Sequence, residues 1–107
     1  MSRLEYHVLL ALAGGALYGY AIKDAVLAES AGTLEPRAGS LYRVLARLMT
    51  AGLVKEVADA GDVAPHPGLA RRYYALSAAG RRELRAETQR LKQAAAMAER
   101  RLGGQRA

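Results

Sequence analysis

Leu84, Thr88, Leu91, Ala95, Ala98 and Leu102 are spaced 4, 3, 4, 3, 4. This is a heptad seam held over almost three heptads, and it commits the last quarter of the chain to one straight helix. Ser77 stands where a serine hydroxyl accepts from the free amides of a first turn, so the helix is predicted over 77–102. Its alanines make the seam weak as a coiled coil but let a second helix come close. A helix this long outruns a small domain and leaves its apolar stripe in water, and such a stripe marks an interface. Everything else must fold from residues 1–76, room for one small domain with a modest core.

Those residues read as short elements. Ser2 with Glu5 three positions on is a capping box, and Leu4, Val8, Leu9 and Leu12 give helical spacing over 2–13. Gly14-Gly15 ends that helix. A second helix is predicted over 18–30, with Tyr18, Ile22, Ala25 and Val26 on one face. Pro36 suits a first helical position and opens a third, which Gly52 stops. Ala38, Leu41, Leu45, Leu48 and Met49 share its apolar side; Arg37, Ser40, Arg43 and Arg47 share the other, with Val44 among them. Strands are predicted over 53–58 and 71–76 around a Pro- and Gly-containing loop, as a β-hairpin. Tyr73 and Tyr74 alternate, so one packs inward and the other faces water.

The expected fold class is therefore mainly α with a small β-hairpin, a winged helix-turn-helix plus a long C-terminal helix. Residues 1–76 form the winged domain, 77–102 the dimerisation helix and 103–107 a disordered tail. A helix has the diameter of the DNA major groove, so the third helix is the reader. Arg37, Arg43 and Arg47 face the groove, and Ser40 near the helix start suits a phosphate. Arg71 and Arg72 in the wing suit the DNA backbone, with Lys55 on the facing strand adding to them. The plainer reading of the helix stripe is a solvated charged surface, and of the wing pair a guard against edge-to-edge aggregation.

The chain carries 16 basic and 10 acidic residues, net +6, and 13 of the bases are Arg. Such a balance points to a polyanionic partner, although an Arg- and Ala-rich genome accounts for part of it. The absence of Cys excludes disulfides, thiol nucleophiles, iron–sulfur sites and thiolate zinc sites. With only His7 and His66, no phosphate-binding glycine pattern and no metal-spaced cluster, neither an enzyme nor a cofactor is expected. Residues 8–13 are too short for a signal sequence, and nothing approaches the ~20 apolar residues that span a bilayer. A cytoplasmic protein with no membrane association is expected.

Three segments resemble the PadR family of transcriptional regulators. They are Leu9-Leu10-Ala11-Leu12 with Leu17-Tyr18-Gly19-Tyr20-Ala21-Ile22; Ala38-Gly39-Ser40-Leu41-Tyr42 followed by Leu45, Arg47-Leu48 and Ala51-Gly52-Leu53-Val54; and 71–80 from Arg71 to Gly80. Their order and spacing match over about 5–85, and the single last helix resembles the short-tailed type. The resemblance implies a homodimeric DNA-binding regulator, often a repressor, whose last helices pair with help from the first. It marks Ser40 and Tyr42 as phosphate ligands and Arg71 and Arg72 as the basic pair of the wing. Tyr18 stands where the family commonly has His, and Arg43 where many members have Pro, which adds charge to the face. The helical wheel sets Tyr42 near the buried edge. No aromatic residue follows Tyr74, so the ligand sandwich of some short members has no carrier here.

The function read from the sequence is a dimeric, sequence-specific repressor released by a small molecule. Its partners are double-stranded DNA bearing an inverted repeat and a second copy of the chain. Leu4, Val8, Leu84, Leu91, Ala95, Ala98 and Leu102 are the dimerisation residues. The short side chains of Ala94, Ala95 and Ala98 either leave a cleft for an apolar effector or close-pack two helices, and both readings stand. The competing class is a winged-helix module that binds an acidic protein and does not read DNA.

Overall fold

In the computed structural model, residues 1–57 and 72–104 are described. Helix α1 (Arg3–Leu12) starts with the expected capping box: the Glu5 amide donates to Ser2 Oγ at 3.1 Å, and the Ser2 amide to Glu5 Oε1 at 3.0 Å. A two-residue strand β1 (Leu17–Tyr18) precedes α2 (Gly19–Glu29). Helix α3 (Ala38–Thr50), strands β2 (Val54–Val57) and β3 (Tyr73–Leu76) and helix α4 (Ala78–Gly103) follow. The fold is thus mainly helical, with the predicted winged order and long last helix.

Strand β1 corrects the sequence reading twice. Tyr18 is not in the second helix but extended, and the hairpin is a three-stranded antiparallel sheet in the order β1-β3-β2. A two-residue strand has no periodicity to display; β3 induces it by pairing Leu17 with Tyr74 and Tyr18 with Tyr73. That pairing buries both tyrosines of β3. Tyr74 enters the core, and Tyr73 on the opposite face lies against the ring of Tyr18 at 5.8 Å. Neither faces water, contrary to the alternation argument.

The core gathers Val8, Leu9 and Leu12 of α1, Ile22 and Val26 of α2, Leu41, Val44, Leu45 and Leu48 of α3, and Val54, Tyr74 and Leu76 of the sheet. Val44 therefore belongs to the apolar side of α3 and not to its Arg side, and Ala38 is exposed, because α3 is buried over a wider arc than one seam. Pro36 also stands outside the helix. It is buried two residues before Ala38, while Arg37 is the extended N-cap (φ −76°, ψ 154°). Buried Ser30 holds this linker in place, accepting from the Leu34 amide at 2.9 Å, and Arg3 donates to Thr33 Oγ1 at 2.9 Å. Gly52, at φ +77°, ends α3 as expected.

Helix α4 is locked to the end of α3 by its first residues. Ser77 Oγ accepts from the Gly80 amide at 2.9 Å and donates to the Gly52 carbonyl at 2.6 Å, and the Ser77 amide donates to the Leu53 carbonyl at 3.1 Å. Leu84 continues into the core. Val8 and Leu84 are thus consumed inside one chain and leave the predicted dimer seam, since a residue 0% or 8% exposed has nothing to offer a second copy. Beyond Thr88, whose Oγ1 meets the Tyr6 hydroxyl at 2.8 Å, α4 projects from the domain and stretches the molecule to 64 Å. Gly103 closes α4, so the predicted tail begins one residue late; 105–107 lie outside the described residues.

Candidate nucleic-acid interface

The exposed side of α3 carries Arg37 at its cap, Ser40 half-buried in the first turn, then Tyr42, Arg43 and Arg47. Leu41, Val44, Leu45 and Leu48 fix that side outward by anchoring the other. Arg43 bends back and donates to Ser40 Oγ at 3.4 Å, so the hydroxyl and the guanidinium present one polar patch. Arg47, one turn on, shares the field of Glu5 across the α1 boundary. The Glu5 carboxyl lies below the usual carboxylate range, chiefly because it accepts from the Ser2 amide, with Arg47 adding a smaller pull.

Tyr42 is half exposed, beside buried Leu41 at the edge of the packed side of α3. Its hydroxyl rests on Gly19, at the start of α2, where only a hydrogen leaves room. Tyr18, the N-cap of α2, makes no side-chain capping bond to the first turn, and Tyr20 in that turn is 73% exposed. Tyr20 is a surface residue that sequence reasoning missed.

The wing divides by strand parity. Arg72, Tyr74 and Leu76 fall on the face of the sheet that meets the core, together with Glu56 and Val54, the partners of Tyr74 and Leu76. Burial pushes the Tyr74 phenol up, and Tyr42 and Glu56 push it the same way while Arg72 opposes them. Arg72 lies 3.8 Å from Glu56 across the strands. Arg72 is thus brought to the α3 side of the wing. Lys55, opposite Ala75, points to the other face with Val57 and Tyr73, so the sequence grouping of Lys55 with the arginines does not hold. Arg71 and His66 lie outside the described residues.

Half-buried His7 packs edge-on to Tyr6 at 5.7 Å, a structural position. Among the described residues, no three His, Asp or Glu side chains gather to hold a metal, and no helix is long and apolar enough to cross a membrane. On α4, Leu91 (48%) and Leu102 (69%) are exposed, with Ala95 and Ala98 exposed between them. Leu4 is partly buried against the core.

Solved structures share this architecture. A PadR family regulator from Clostridium difficile is 21% identical at a TM-score of 0.75, covering 94% of this chain and 99% of that one. A PadR-like transcription factor from Bacteroides fragilis is 27% identical at 0.73, covering 91% and 87%. Bacillus subtilis PadR, solved in complex with operator DNA, is 23% identical at 0.67, covering 81% of this chain and 47% of that one. No curated protein matches the chain. The transcriptional regulator PadR-like family matches residues 8–86. With that span matched and the winged fold shared, the chain belongs to the PadR-like family of transcriptional regulators, and it is a regulator and not an enzyme.

Proposed function

We propose that the protein is a homodimeric repressor that reads an inverted repeat in duplex DNA through α3. The observation that carries the reading is the outward Arg37, Ser40, Arg43 and Arg47 face on a helix whose other side is wholly committed to the core. A side chain from such a helix reaches base edges in the major groove, and Arg bonds guanine bidentately. Ser40, Tyr42 and Arg72, with Arg71 beside it in sequence, serve the phosphates. The Bacillus subtilis relative bound to operator DNA supports this reading through the shared fold.

The second copy covers the outer half of α4, where Leu91, Ala95, Ala98 and Leu102 are exposed. An open groove of about 460 Å³, lined by Arg90, Gln93, Ala94, Met97, Ala98 and Arg101, lies along that half. Its size suits a small molecule, and a partner helix would roof it. Binding there rotates the two readers apart and releases the operator, since two half-sites lie about one DNA turn, roughly 34 Å, apart.

Selection from random duplex DNA with the purified protein tests the reading. An enriched inverted repeat is the expected result. A protein-binding winged helix would enrich no sequence.

A further inference from the structure

We infer that Glu56 is a brake on phosphate-driven DNA binding, acting by holding Arg72; the inference rests on the DNA-reading function proposed above. Glu56 is the single acidic residue of β2 and β3, and it falls on the α3 side of the wing, the side that Arg72 and Tyr42 share. Its carboxylate stands 3.8 Å from the Arg72 guanidinium, with the two side chains 50% and 72% exposed. A pair this long and this wet contributes little to stability. The fold does not need it. Val54, Tyr74 and Leu76 pin the strands whether or not Glu56 is charged.

The same carboxylate matters for a polyanion. A chain of net charge +6 is drawn to any duplex, specific or not. Phosphates approaching Arg72 meet a guanidinium with a carboxylate already 3.8 Å away. To engage it they must break its pairing and leave a bare carboxylate within one Debye length, about 10 Å, of the DNA backbone. Binding that rests on phosphate contacts alone has nothing to set against that cost. Lys55 escapes the brake, because strand parity places it on the far face of the sheet. Glu5, whose charge reaches Arg47 of the reading helix, is occupied in the α1 capping box.

The test is Glu56→Gln in the full chain, which keeps the side-chain shape and removes the charge. Dissociation constants are measured on a random-sequence duplex over a series of salt concentrations. Glu56→Gln is expected to bind about 3- to 10-fold tighter and to steepen the log–log salt slope by about 0.9, one further phosphate contact. Arg72→Ala with Glu56→Gln is expected to bind like Arg72→Ala alone. Unchanged or weaker binding by Glu56→Gln overturns the brake, as does a full gain that survives loss of Arg72. A loss confined to one selected sequence would instead make Glu56 a base reader and also overturn it. If the unsubstituted protein binds no duplex at all, the DNA-reading function itself fails; if it binds and Glu56→Gln changes nothing, only the brake does.

Discussion

The Tyr42 hydroxyl occupies the place where a side chain on Gly19 would begin: a Cβ built there comes within 2.9 Å of it. Two elements meet at this point, the first turn of α2 and the exposed side of α3. The contact sets where Tyr42 stands relative to the first turn of α2. It also explains the glycine without any appeal to backbone strain, since Gly19 has an ordinary negative φ.

Gly19→Ala should therefore move Tyr42 and leave the fold intact. The atom displaced is the tip of a flexible side chain, and alanine favours the helix by up to about 1 kcal/mol. Unfolding free energies from urea titration are expected to stay within about 1 kcal/mol of the parent's. DNA affinity should fall as it does for Tyr42→Ala, and Gly19→Ala should add nothing in a Tyr42→Ala background. Additive losses would disconnect the two residues.

At Gly80 the outcome is the reverse. A Cβ there would collide with the backbone carbonyl of Leu53, which Ser77 already holds by its amide at 3.1 Å. No flexible tip can yield. Gly80→Ala should lower stability by about 1–3 kcal/mol despite its helix propensity, as overpacking does. A denaturation midpoint at or above the parent's would show that α4 is not seated as described.

The contrast between these glycines shows where the sequence was legible. The caps at Ser2 and Ser77 and the stop at Gly52 act locally, and each was read correctly from a few residues. Val44, Tyr18 and Tyr73 were misread because their burial is decided by partners far along the chain. Val44 is covered by the packed core, and Tyr18 and Tyr73 by each other. The arginine face of α3 was legible because its apolar complement was. The sorting of Arg72 from Lys55 was not, because it depends on a strand register that no local pattern displays.

Glu5 gives a pH dependence with a definite sign. Its carboxyl is held below the ordinary range by the Ser2 amide first, then by the Ser2 hydroxyl and Arg47. Its contribution is therefore complete above the ordinary glutamate value and is lost as pH falls through the depressed one. Ser2→Ala should cost about 0.5–2 kcal/mol at neutral pH. The destabilisation by Glu5→Ala should be largest at pH 7 and shrink by pH 3, as followed by urea unfolding. A difference that grows on acidification would contradict the capping geometry.

The arginines of α3 and of the wing should separate by what they do to specificity. Arg47→Ala and Arg43→Ala are expected to cost about 1–3 kcal/mol on a selected site and to relax its sequence preference. Arg72→Ala should weaken selected and random duplexes alike and flatten the salt dependence. Equal losses on both duplexes for Arg43→Ala and Arg47→Ala would refute the division.

The outer half of α4 supplies a test in which two leucines of one seam behave in opposite ways. Leu84 is 8% exposed and packs in the chain's own core, whereas Leu102, at the far end, is 69% exposed. Leu84→Glu buries a charge without a partner and should unfold the domain. Leu91→Glu with Leu102→Glu places charges at exposed positions of the single chain, so the domain should keep its helical content as a monomer, with a denaturation midpoint that no longer depends on protein concentration. What it should lose is the second copy. Sedimentation at micromolar concentration should then show a dimer for the parent and a monomer for the double variant. DNA binding should survive on a half-site and weaken on the full inverted repeat, because two readers joined by α4 gain effective concentration that one reader lacks. A parent that sediments as a monomer, or a double variant that stays dimeric, would remove α4 from the interface.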